Sequence, residues 1–222
     1  PAMLDGKLAL FLAPRPATPD SFRRGNDRML AALKRWPGRL WGYCYVNPGY
    51  GPEALAEIDR CLAHDDVVGV KLYTEYFFDE PVLRPIIEKC IDLDCPILEH
   101  QGHCTDPLPD QPRISDAGHL SRMANRYPEA KLILGHICGG GDWEWTIKQT
   151  AAAPTLYADT SGSVADEGAL ELAVRVIGAE RLLFACDGSL STSMGRLRGA
   201  RLSETDRARI AGQNYLRLIG RA

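Results

Sequence analysis

Apolar residues in this chain fall into short unbroken runs separated by longer stretches of helical periodicity. The runs 7–13 (KLALFLA), 39–46 (RLWGYCYV), 67–73 (VVGVKLY), 96–99 (PILE), 131–135 (KLILG), 155–159 (TLYAD) and 181–186 (RLLFAC) have the length and continuity of strands buried on both faces. Between them apolar residues recur near a period of 3.6, as in Phe22, Met29, Leu30 and Leu33, or Leu83, Ile86, Ile87 and Cys90. That pattern predicts helices over about 18–36, 52–64, 79–93, 115–127, 166–177 and 203–219, with a short one around Trp143 and Trp145. Thr18 and Asp20 can cap the first helix, Pro52 suits the opening turn of the second, and Ser203-Glu204-Thr205-Asp206 supplies a cap and an acidic first turn for the last. Pro14 and Pro16 close the first strand, and a polar loop is expected between Asp187 and Ser203.

Seven strands, each followed by a helix, predict an α/β fold with a parallel sheet, either a closed barrel or an open doubly wound sheet. No Gly-x-Gly-x-x-Gly follows a strand and no phosphate-loop signature occurs, which weakens the nucleotide-binding form of the open sheet. A length of 222 residues fits one domain, 1–222, large enough to bury its core without a disulfide or structural metal.

Composition narrows the classes. A net charge of −3 with scattered basic residues gives no footprint for nucleic acid. The densest basic stretch, Arg196 to Arg209, is interrupted by Glu204 and Asp206 and reads as a solvated helix face. No run approaches the roughly 20 apolar residues of a membrane span, and no signal peptide is recognisable. Seven cysteines without a repeated spacing point to a reducing, cytoplasmic setting rather than a disulfide framework.

The chemistry-bearing residues cluster by position. Lys71, His100, His136, Asp159 and Asp187 each stand at or just past the C-terminal end of a predicted strand. In a βα barrel those ends converge on one face, where active sites are built. An imidazole of His100 and a carboxylate of Asp187 are an N/O donor set suited to zinc or a similar divalent ion. His136 could be a further ligand or a proton carrier, and Asp187 could accept a proton from an activated water. His103 and Cys104 lie on the loop beyond the strand end, on the substrate side or incidental to the site. Tyr73, Tyr76, Trp143 and Trp145 follow strand ends and can line a pocket or pack at its rim. A Cys/His hydrolase built on Cys104 or Cys138 lacks a nucleophile elbow, and no Gly-x-Ser-x-Gly supports a serine hydrolase.

The segments GVKLY (69–73), PILEH (96–100), RYPEAKLILGHICGG (126–140), LYADTSG (156–162), RLLFACDGS (181–189) and RIAGQNYLRLIG (209–220) follow one another as in a known family. The chain resembles the amidohydrolase-related metal-dependent hydrolases, the branch that includes aminocarboxymuconate-semialdehyde and resorcylate-type decarboxylases. The resemblance implies a (β/α)8 TIM-barrel-like fold and a mononuclear divalent metal, zinc in the first place. It implies His100 and Asp187 as metal ligands, His136 as the residue that orients or activates the metal-bound water or the substrate, and Lys71 as the counterpart of a fourth-strand lysine. With the positions read above, His136 and Asp187 are expected to carry the proton chemistry, and Lys71, Tyr73 and His103 to face the substrate. The first-strand His-x-His or Glu-x-His of that family has no counterpart. The opening DGKLALFLAP resembles the second strand, so the first β/α unit either precedes Pro1 in the natural protein or has been lost, and on the second reading half of the metal site goes with it. A seven-stranded barrel also leaves two edges to be covered, by a further segment or by a homo-oligomer. The leading expectation is a hydrolase in which metal-activated water attacks a C–N or C–O bond of a small-molecule substrate. Nonoxidative decarboxylation by the same constellation is the first alternative, and a noncatalytic barrel serving as a binding or subunit-interface module is the second.

Overall fold

The computed structural model describes residues 16–104 and 109–221, together with the backbone of 7–9. Strands and helices alternate: β1 (Lys7–Ala9), α1 (Pro19–Arg35), β2 (Leu40–Tyr45), α2 (Gly51–Leu62), β3 (Val67–Leu72), α3 (Arg84–Asp92), β4 (Ile97–His100) and α4 (Ala117–Arg126). The series continues with β5 (Leu132–Gly135), α5 (Trp143–Ala151), β6 (Tyr157–Asp159), α6 (Ala169–Ile177), β7 (Leu182–Leu183), α7 (Leu190–Gly199), α8 (Glu204–Ala208) and α9 (Asn214–Leu218). All seven strands are parallel and lie in the order β1 to β7. Sequential order with helical crossovers is the order of a βα barrel.

Local sequence explains the helix starts. Thr18 accepts the Ser21 amide at 3.4 Å and Pro19 follows it, fixing the first turn of α1. Asp116 accepts the His119 amide in front of α4, and Asp142 accepts the Trp145 amide in front of α5.

Alternation along the strands divides the core in two. Val70, Leu72, Ile97, Leu132, Leu134, Ala158 and Leu182 join the large cluster shared with the helices. Their neighbours Leu98, Tyr157, Ile133 and Leu183 turn to the other face, where Tyr215 and Leu218 of α9 pack on them. The last helix thus plugs the inside of the curved sheet, and Tyr215 Oη comes within 3.2 Å of Tyr43 Oη on β2. Lys71 pairs in register with Leu98, so Lys71, Leu98 and His100 share that inner face, with His100 at its C-terminal mouth.

Three expectations are corrected. The polar stretch after Asp187 holds a helix, α7, whose buried residues are only Ser193 and Leu197; so few apolar positions leave no readable period. The last helix is not continuous over 203–219, because a π-helical turn, Arg209–Gln213, separates α8 from α9. β7 covers only Leu182–Leu183, since the Phe184 amide leaves the sheet to donate to the Ile210 carbonyl of that turn at 2.9 Å. Of the expected first strand, 10–13 lie outside the described residues. Among the described residues no helix is long and apolar enough to cross a membrane, and all seven cysteines are free thiols.

Candidate active site

His100 is the last residue of β4, and His136 directly follows β5. Their rings meet edge to face, with His100 Nδ1 2.9 Å from His136 Nε2. The other nitrogen of His100, Nε2, lies 3.0 Å from Gln111 Oε1. Tyr73, just past β3, stacks on the His100 ring at 4.2 Å between centroids. The Lys71 ammonium sits 5.5 Å over the opposite partner in this stack, the Tyr73 ring. Four of the expected residues from three neighbouring strands are thereby joined in one array.

His136 is held with unusual care. Its φ of 69° is left-handed, a conformation that costs a non-glycine residue free energy and needs support from its surroundings. Here the support is hydrogen bonding. The His136 amide donates to Asp159 Oδ1 at 2.9 Å, and its carbonyl accepts from Gln101 Nε2 at 2.5 Å. Ring nitrogen Nδ1 is 2.6 Å from Ser161 Oγ. Ser161 in turn donates its hydroxyl and its amide to the same Asp159 oxygen, at 2.5 and 2.9 Å. Gly135, the residue before His136, lets β5 approach β4 closely, for a Cβ there would meet the Glu99 carbonyl at 2.6 Å.

Asp187 also adopts a left-handed φ, 37°. Its Oδ2 is 3.8 Å from His136 Nδ1, and its side chain is 63% exposed, so the pair is a weak one. His100 and Asp187, the two residues assigned to a metal by resemblance, therefore meet His136 at opposite ring nitrogens. His103 stands apart from the array. Its ring stacks on Trp145 at 3.8 Å and lies between Asp116 and Asp142, at 3.6 and 4.0 Å.

Burial sets the electrostatics. Lys71 is 4% exposed, and burial pulls its ammonium down to about 8, against the pull of Glu99, Asp159, Asp187 and Glu75. Glu99 is pushed well above the usual carboxylate range, again by burial, with Lys71 and the Ser115 hydroxyl opposing. Its Oε1 accepts from Ser115 Oγ at 3.1 Å while Oε2 has no partner among the described residues.

Among the described residues no group of three or more His, Cys, Asp or Glu could hold a metal ion. His100 and Asp187 each meet His136 among the described residues. These side chains form a chain of hydrogen-bonding groups able to hold and pass a proton. Ser161 and Gln111 carried no signal at the level of single residues, and Asp159 was legible only by its place at a strand end. The Asp-x-Ser spacing at the end of β6 is the pattern that could have found the first two links of the chain.

Residues 14–221 match the amidohydrolase family. No curated protein matches the chain. Among solved structures, 2,6-dihydroxybenzoate decarboxylase from Rhizobium superposes with a TM-score of 0.73 at 20% identity, covering 91% of this chain and 77% of that one. 5-Carboxyvanillate decarboxylase from Novosphingobium aromaticivorans, complexed with manganese and 4-hydroxy-3-methoxy-5-nitrobenzoic acid, gives 0.74 at 16% identity, with 97% and 76% coverage. An uncharacterised TIM-barrel protein from Bordetella bronchiseptica gives 0.73 at 16%, with 99% and 80% coverage. At these identities the likeness establishes the fold, a (β/α)8-like barrel.

Proposed function

The chain belongs to the amidohydrolase family, and from that premise we propose that it is an enzyme releasing carbon dioxide from a small aromatic carboxylic acid. The observation that carries this reading is the imidazole pair, His100 Nδ1 to His136 Nε2 at 2.9 Å, set beside a buried lysine and an aromatic ring. Nonoxidative decarboxylation needs a proton for the ring carbon and a hold on the carboxylate. The imidazole pair supplies the first, since imidazoles give and take protons near neutral pH. Lys71 supplies the second: a bound carboxylate offsets the hydration that the ammonium loses on burial. Tyr73 offers a face for an aromatic ring. In the reaction the ring carbon takes the proton, the bond to the carboxylate carbon breaks, and its electron pair stays with the ring as CO2 leaves. Water then reprotonates the pair, so the step is redox-neutral.

Two of the structural neighbours are decarboxylases of aromatic acids, and this supports the substrate class. Hydrolysis of a C–N or C–O bond, the leading expectation from sequence, needs a water activated near neutral pH. A divalent ion does this in metal hydrolases. Zinc on His100 and Asp187 remains an implication of family resemblance, and manganese is found in a neighbour; the described donors do not converge on an ion, so the proton chemistry is assigned to the chain's own groups. Incubation with 2,6-dihydroxybenzoate, 5-carboxyvanillate and related hydroxybenzoates should release CO2 and the matching phenol, detected by chromatography. Turnover of amides or lactones without CO2 release would overturn the proposal in favour of hydrolysis. Inertness toward both panels would leave the noncatalytic barrel.

A further inference from the structure

The environment of His136 fixes more than its position. Asp159 Oδ1 receives three hydrogen bonds, from the His136 amide and from the amide and hydroxyl of Ser161. A carboxylate accepts and does not donate, so the single proton of the Ser161 hydroxyl is committed to Asp159. At 2.6 Å from His136 Nδ1, Ser161 Oγ is left only as an acceptor, and the proton between them must be on the imidazole. In a neutral ring with Nδ1–H, Nε2 is bare. That bare nitrogen is the one 2.9 Å from His100 Nδ1. Two bare nitrogens make no hydrogen bond, so His100 donates across this contact. At its other nitrogen, 3.0 Å from Gln111 Oε1, either the Gln111 amide turns to present its NH2 or the His100 ring carries both protons. We infer that Asp159 and Ser161 are positioning residues that lock His136 in the Nδ1–H form and aim its basic nitrogen at His100.

The lock is itself braced. Arg196 on α7 donates to the carbonyls of Thr160, Gly162 and Val164, the residues around Ser161. Gly162, at a φ of 117°, lets this loop press on the Cys138 backbone where a Cβ would collide. Both contacts hold Ser161 under the imidazole rather than at a mobile loop tip.

The inference rests on the proposed role of His136 in proton transfer, yet its test needs no substrate. Histidine labelled with 15N in the full chain reports which ring nitrogen bears the proton through long-range 1H–15N correlations, at a pH where the ring is neutral. In the wild-type chain His136 should show Nδ1 protonated and Nε2 bare. Ser161→Ala should collapse this into a mixture of the two forms, and Ser161→Thr should restore it. Asp159→Asn should reverse it, because a Ser161 hydroxyl released from the carboxylate can donate to Nδ1. A wild-type His136 protonated at Nε2 would overturn the lock, whatever the folding of the variants. So would a form that stays the same in well-folded Ser161→Ala and Asp159→Asn. A chain that shows the lock but fails to release CO2 would refute the proposed reaction alone.

Discussion

His100 and His136 are 36 residues apart in the sequence, and their ring nitrogens lie 2.9 Å apart at the mouth of the sheet. The contact exists because β4 and β5 run in register, His100 opposite Gly135, and because His136 then turns back with a left-handed φ. A straight continuation of β5 would carry the His136 ring past its partner. The backbone turn, the Asp159 bond to the His136 amide and the ring contact form one unit.

Replacing His136 should therefore separate chemistry from folding. Asparagine tolerates the left-handed region better than most residues, so His136→Asn keeps the turn while removing the imidazole. CO2 release should fall by ~10²–10⁴-fold, the usual contribution of a positioned acid or base, with the melting temperature little changed. Steady-state kinetics beside a thermal melt would check this; an active His136→Asn chain would remove the imidazole pair from the mechanism.

The order of elements and the mouth residues were readable because strand runs and helical periods are signals carried by many residues at once. Lys71, His100 and His136 could be placed at strand ends by counting along each run. Ser161 could not, since its importance comes from a hydroxyl that meets His136, 25 residues away. Helix α7 was hidden for the opposite reason: it buries too little apolar surface to leave a period. Asp187 was rightly placed beyond the seventh strand, but the three residues between Leu183 and Asp187 leave the sheet, and its reach is set by that loop.

Arg196 should matter more than its distance from the rings suggests. Three backbone carbonyls of the β6–α6 loop depend on its guanidinium, and its Nε is buried without a partner among the described residues. Arg196→Ala should cost about 2–4 kcal/mol, given that bonds from charged donors are worth more than neutral ones. Amide exchange at Gly162 and Val164 should accelerate. The exposed neighbour Arg198 provides the control, with stability unaffected in Arg198→Ala. Chemical denaturation and hydrogen exchange measure both.

The donor arrangement bears on metal dependence of the fold. A core of the size seen around the helices does not need an ion for stability, and the described donors do not converge on one. Dialysis against a chelator should leave the melting temperature unchanged, and saturating manganese or zinc should not raise it, as tight binding to the native state would. A rise abolished by His100→Ala or Asp187→Asn would show that these side chains rearrange around an ion, and would contradict a site that works through protein groups alone.

Lys71 couples function to stability with opposite signs. Burial lowers its folded-state value from 10.5 to about 8, so the unfolded chain binds the proton more tightly than the native one. Between those two values the unfolded state carries more protons, and stability therefore rises with pH across the window. Below pH 8 the full penalty applies, on the order of 3 kcal/mol at 1.36 kcal/mol for each unit. Lys71→Met keeps the buried stem and removes the charge. The variant should thus be more stable than wild type at pH 7, with the difference shrinking as pH rises from 8 toward 10.5. Urea titrations of both chains at pH 7 and pH 10 give the two differences. Activity should move the other way: KM for a hydroxybenzoate should rise in Lys71→Met, and in the wild type it should rise as pH climbs through 8 and the ammonium is lost. A variant that gains no stability at pH 7 would mean that the carboxylates around Lys71 compensate its burial. One that keeps the wild-type KM would remove Lys71 as the hold on the substrate carboxylate.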